Sequence, residues 1–194
     1  MDLNFKKLKE LFRDKSRDNL YQNLLNIGIN CELSPRGVNE EKLFNPWYRR
    51  SLGVIKINSN YSIKYINIIK QNGGKNNPPR WWYYFAIPDL QIIPIDKSIE
   101  IKSNRKKSAP LVGRVKSIEW EHNSNSKELS EIFTNNQDIN SLSMELGNIK
   151  VQSLHDNFSG FSIELEFALR KKKLSINHWE SLNKISKLCI NNYL

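Results

Sequence analysis

Long apolar runs are missing from this sequence. The longest unbroken apolar or aromatic stretch is Trp81 to Ile87, far short of the roughly 20 residues a helix needs to cross a bilayer. The first residues, Met1-Asp2-Leu3-Asn4-Phe5-Lys6-Lys7, put no apolar signal core behind their charges. No transmembrane segment and no export are expected, which points to a cytoplasmic protein. Cysteine is scarce, with Cys31 and Cys189 only. A small exported domain stapled by disulfides carries more, in closely spaced pairs. These two are expected as buried thiols in a reducing compartment. The histidines His122, His155 and His178 stand apart, none with the second imidazole, thiolate or carboxylate that zinc spacing requires. Nucleophile-elbow, Walker and dinucleotide-binding patterns are absent, and no internal repeat is found.

What the sequence does have is positive charge and β-forming segments. The formal net charge is +10 over 194 residues, which directs attention to an anionic partner: a nucleic acid, a membrane surface or an acidic protein. Lysine outnumbers arginine by more than two to one, and asparagine and isoleucine are abundant. All three have AT-rich codons, so total charge is a weaker argument than its distribution.

Phe5, Leu8, Phe12, Leu20, Leu24 and Ile27 form a stripe at helical spacing, with a polar break over 13–19 and Gly28 as a stop. A short strand over 29–33 and a Ser34-Pro35-Arg36-Gly37 turn follow. Residues 38–50 are polar and irregular, with Trp47 and Tyr48 expected as anchors. Strands are predicted over 52–57, 62–70, 81–87, 98–103 and 114–121, with Asn/Gly/Pro or polar clusters between them. No helical period intervenes from 52 to 121, which predicts an antiparallel meander rather than βαβ units. Ser126 and Asp138 are candidate caps for two short helices. A strand over 149–154 precedes the clearest strand in the chain, where Phe161, Ile163, Leu165, Phe167 and Leu169 alternate with smaller or polar residues. Ile176, Trp179, Leu182, Ile185 and Cys189 mark a closing helix.

The fold class expected is α+β. A curved antiparallel sheet or split barrel would be covered by amphipathic N- and C-terminal helices. One domain over 1–194 is expected, with a helical and irregular segment to residue 50, the meander over 51–121 and a mixed closing unit over 122–194. The hairpin of the closing unit is expected beside the meander in one continuous sheet.

Three chemistries are written in the pattern. The leading one is binding without catalysis, in which Arg49, Arg50, Arg80, Lys102, Arg105, Lys106, Lys107, Arg170, Lys171, Lys172 and Lys173 contact an anionic partner and no cofactor is needed. Two of these groups are the runs 102–107 and 170–173 at strand ends, where charge also keeps loops solvated. They form a continuous rim only if both leave the same end of the sheet.

The second is metal-dependent. Asp89 after Pro88, then Glu100-Ile101-Lys102, resembles the PD-(D/E)xK signature of nucleases. That resemblance implies Mg²⁺ held by Asp89 and Glu100 on neighbouring strands, with Lys102 near the attacking water. The alternative is that Glu100 and Lys102 are the wet face of an ordinary strand. Pro94 and the strand predicted after Lys102, where that family places a helix, depart from the family pattern. The third is stacking of unpaired bases on Trp81, Trp82, Tyr83, Tyr84 and Phe85. Five consecutive aromatics place rings on both faces of a strand, however, so at least one face must be core.

Overall fold

A computed structural model describes residues 14–89, 95–108, 113–155, 158–166 and 172–193. The predicted stripe residues Phe5, Leu8 and Phe12 lie outside them, as do Phe167, Leu169, Arg170 and Lys171. The architecture is α+β: one open sheet of eight antiparallel strands with four helices. Helix α1 (Ser16–Asn26) leads into β1 (Cys31–Leu33), β2 (Arg50–Ile57), β3 (Tyr65–Gln71), β4 (Arg80–Pro88), β5 (Glu100–Lys107) and β6 (Val115–His122). Helices α2 (Lys127–Thr134) and α3 (Gln137–Leu146) follow, then β7 (Ile149–His155), β8 (Phe158–Glu166) and α4 (Ile176–Tyr193). Among the described residues no helix is long and apolar enough to cross a membrane.

The strand order is β1-β2-β3-β4-β8-β7-β5-β6. This corrects the meander. The β7–β8 hairpin does not lie beside it but splits it, separating β4 from β5. The reason lies in the side chains. Trp81 to Ile87 are all buried, so β4 must be a central strand with a partner on each side. The alternating Phe161, Ile163 and Leu165 of β8 match Ile87, Phe85 and Tyr83 across the ladder. Strand β5 carries Glu100 and Lys102, which lie opposite Gln152 and Lys150 of β7 instead. Gly160, at φ 133°, permits the junction: a Cβ there would run into the Ile87 carbonyl and the Asp89 amide nitrogen.

One lateral row runs across five strands: Ile66, Phe85, Ile163, Val151 and Ile101, in register and all 0% exposed. Each such side chain stabilises the fold by about 1.5–3 kcal/mol. The terminal helices close over this face with Leu20, Leu24, Trp179, Leu182, Ile185 and Cys189, and α2 and α3 add Leu129, Phe133, Ile139 and Leu142. Asn23 of α1 ties the two ends together, donating to the Leu174 carbonyl at 3.0 Å and accepting from its amide at 2.6 Å.

The opposite face is built differently. Over β2, β3 and β4 it is covered by the irregular segment 38–49. Asn67 holds that segment down, donating to the carbonyls of Leu43 at 2.7 Å and Glu40 at 3.1 Å and accepting from Ser51 Oγ at 2.7 Å. Phe44 stacks on Tyr84 at 4.9 Å. Leu43 and Phe44 are thus the anchors of the segment. Trp47 and Tyr48, expected in that role, are not.

Other local expectations also shift. The polar run 104–107 continues β5, since β6 satisfies its backbone. Asn136, not Asp138, caps α3, its side chain accepting from Ile139 N at 3.3 Å. The Ser126 hydroxyl donates to Glu100 O at 2.9 Å rather than capping α2. Ile176 is exposed.

Candidate anion-binding rim

Strand directions decide which charges meet. Strands β4, β8, β7 and β5 pair antiparallel in that order. Strand β5 therefore runs with β8 and against β4. The last residue of β5, Lys107, and the last of β8, Glu166, come out at the end of the sheet where β2 starts with Arg50, β4 with Arg80 and β6 with Val115. The turn after β1, with Arg36, is at the same end, because β1 runs against β2. Arg17, near the start of α1, lines a pocket there with Arg36 and Arg50.

All seven arginines among the described residues, Arg17, Arg36, Arg49, Arg50, Arg80, Arg105 and Arg114, thus belong to one end of the sheet. Lysines do not sort this way: Lys56, Lys64 and Lys97 lie toward the other end. The run 102–107 leads to the arginine end, and Lys172 and Lys173, exposed, follow the strand that ends there.

Several of these cations are tied down. Arg80 pairs with Glu166, Lys106 with Glu119 at 2.9 Å, and Arg105 Nε donates to Asn148 at 3.1 Å. Lys172 donates to the Glu145 carbonyl. Lys70 pairs with Asp14 at 2.8 Å. Burial works to raise Asp14, but donations from Lys70, Ser16 and Trp81 outweigh it and hold the carboxyl well below the usual carboxylate range. Arg50, Lys107, Arg114 and Lys116 have no ion-pair partner among the described residues.

The stretch Trp81 to Phe85 offers no stacking platform. Its five rings are between 0% and 4% exposed. Trp81, Tyr83 and Phe85 face the helices. Trp82 and Tyr84 face the other way, where the Arg49 guanidinium lies 3.6 Å from the Trp82 ring centre and Arg49 Nη1 donates to Tyr84 Oη at 3.3 Å. Among the described residues the exposed aromatics are Trp47, at 94%, and Tyr48, at 50%, packed edge to face at 5.7 Å just before Arg49. The pattern Trp47-Tyr48-Arg49-Arg50 in a polar stretch was the available signal for them.

Asp89 and Glu100 are not brought together. Both lie toward the end away from the arginines, but β8 and β7 intervene, about 14 Å along the sheet at 4.8 Å per strand. One Mg²⁺ ion binds oxygens at about 2.1 Å, so these two carboxylates do not fit a shared ion. Glu100 pairs with Lys150 at 3.0 Å. Among the described residues no group of three potential metal ligands occurs. Lys102 shares a lateral row with Lys150, Glu164 and Tyr84. Burial pushes the Glu164 carboxyl up, against the pull of Lys150, a hydrogen bond from Tyr84, and Arg49.

Comparison with protein families, with curated proteins and with solved structures finds no match to this chain. The functional reading therefore rests on the geometry alone.

Proposed function

We propose that this chain is a basic binding domain whose partner is a nucleic-acid strand lying along the arginine-bearing end of the sheet. The observation that carries this reading is the segregation of the arginines. AT-rich codons raise lysine, not arginine, so composition does not account for seven arginines at one end. Their planar forks suit phosphate oxygens better than lysine's point charge does. From β2 to β6 that end spans six strand spacings, about 29 Å, the length of roughly eight phosphates of one DNA strand. Trp47 and Tyr48 offer rings beside it to an unpaired base.

The test is fluorescence anisotropy with labelled single- and double-stranded DNA and RNA across about 50–200 mM salt. The wild-type chain is compared with a Lys107→Gln/Arg114→Gln/Lys116→Gln variant. Binding is expected to weaken steeply with salt, and the variant's slope of log K against log salt to be shallower by about 2 to 3. Absence of binding at the lowest salt, or an unchanged slope in the variant, overturns the reading. Capture of an acidic protein in place of nucleic acid overturns it as well.

A further inference from the structure

Beside the start of β2, on the helix-covered side, lies a pocket of about 430 Å³. Arg17, Arg36 and Arg50 line it. Arg49, at the bend before β2, goes to Trp82, whereas Arg50, the first residue of the strand, lines this pocket. Two of the guanidinium groups converge. A Cβ on Gly53 would strike Arg17 Nη1 and stand 2.9 Å from Arg36 Nη1. Both nitrogens therefore lie against the same point, at most twice that distance apart. Gly53 has φ 120° and no side chain to separate them.

Each of the two is held from behind. Arg36 gives Nε to Glu41 at 3.1 Å and Nη2 to the Ser51 carbonyl at 3.0 Å, leaving Nη1 for the pocket. Arg17, only 12% exposed, sets Nε beside Asp18, which also lines the pocket, at 3.6 Å. Its Nη1 makes one long contact, 3.5 Å, to the Ser34 carbonyl and has a second hydrogen to give. The Asp14 carboxylate on the wall is turned to Lys70, Trp81 and Ser16, so it does not occupy the arginines. Two guanidiniums that turn Nη1 to one point, with a third, exposed guanidinium beside them, present donors that an oxyanion can bridge.

We propose that the Arg17–Arg36–Arg50 pocket binds a terminal phosphate, the dianionic monoester or pyrophosphate type, attached to a larger molecule. This deepens the reading of the same end of the sheet as anion-binding but does not require the partner to be a nucleic acid. A diester backbone phosphate has two free oxygens and one negative charge; a terminal one has three free oxygens and nearly two charges, one oxygen for each of the three guanidiniums. The volume leaves room for the group that bears it.

The experiment is calorimetric titration of the whole chain with pyrophosphate, and with sulfate at matched ionic strength as the control for general charge. Single-stranded oligonucleotides with a 5′-phosphate or a 5′-hydroxyl form a second arm. Variants are Arg50→Gln, exposed and safe for folding, Arg36→Lys, which keeps the charge but loses the fork, and Lys64→Gln/Lys97→Gln, at the other end of the sheet, as the control. Pyrophosphate is expected to bind one to one, with affinity falling at least about tenfold in Arg50→Gln and in Arg36→Lys and unchanged in the control from the other end. A 5′-phosphate preference that disappears in Arg50→Gln identifies a polynucleotide end as the source. Pyrophosphate binding without that preference identifies a small phosphorylated molecule and leaves the pocket standing even if no oligonucleotide binds. Pyrophosphate no tighter than sulfate, or undiminished in both arginine variants, overturns the proposal. Oligonucleotide binding in that case would leave the proposed function intact.

Discussion

The two faces of the sheet are built on opposite logic. The helix-covered face is apolar across its full width, with Ile66, Phe85, Ile163, Val151 and Ile101 in one line and four helices above. The other face carries, one residue along, Asn67, Tyr84, Glu164, Lys150 and Lys102. It is closed over β2–β4 by an irregular segment held through hydrogen bonds, and it is polar over β8, β7 and β5. The first face holds the molecule together by area. The second does so by a few specific polar contacts, which makes it the more easily altered by a single substitution.

Trp179 tests the first face most severely. It is fully buried, against Tyr61 at 5.4 Å and Phe85 at 6.5 Å. Trp179→Ala is expected to cost about 3–5 kcal/mol in denaturant titration. Trp179→Phe should cost much less, because the indole N–H has no partner among the described residues and its removal relieves an unmet desolvation. Equal losses in the two variants would contradict this account.

Asn67→Ala probes the second face. Removing one side chain orphans the Leu43 carbonyl and the Ser51 hydroxyl, at an expected cost of about 1–3 kcal/mol. Limited proteolysis should then cut within residues 38–49 faster than in the wild-type chain. Cleavage elsewhere, with that segment still protected, would show that Asn67 does not hold it.

Glu164 gives the comparison its pH dependence. Its folded-state pKa is raised above the ordinary 4.5, chiefly by burial. The neutral form is therefore favoured in the folded state, and its contribution is fully present below pH 4.5 and lost as pH rises through the folded value. Glu164→Gln should be more stable than wild type at pH 8 and indistinguishable near pH 4, measured by thermal melts. Asp14 has the opposite sign. Its lowered pKa contributes stability above the ordinary 3.8 that is lost in acid, and Glu164→Gln leaves that loss in place. A gain that does not change with pH would refute the assignment to Glu164.

Trp47 should matter least to folding. At 94% exposure, Trp47→Ala is expected to leave stability within about 0.5 kcal/mol. If the ring stacks on a base, the same change weakens single-strand binding by about 1–3 kcal/mol and duplex binding hardly at all. Equal losses on both substrates would assign Trp47 no stacking role.

The fold class, most strands and the closing helix were legible because periodicity reports which side of an element is buried. The place of the β7–β8 hairpin was not. Strand order depends on which faces match across a ladder, and Glu100 with Lys102 names no partner until Lys150 is seen opposite. The rim was half legible. The basic runs were visible, but their shared end depends on an odd number of antiparallel pairings between β4 and β5. Trp47 was misread because an aromatic in a polar loop was given an anchor's role, which Leu43 and Phe44 fill. Arg17 and Arg36 carry no signal in the sequence, because their convergence is made by Gly53, a residue without a side chain.

The inserted hairpin also sets an order of events during synthesis. Strands β4 and β5 leave the ribosome well before β8, by about 4–16 s and about 3–12 s at typical elongation rates. Until then each has an unpaired edge, and an edge with open amides and carbonyls recruits other chains. The last hairpin to be made is the one that joins the two halves of the sheet. Nascent chains stalled before Ile149 should therefore crosslink to chaperones at β4 and β5, and chains stalled once β8 has cleared the exit tunnel should not.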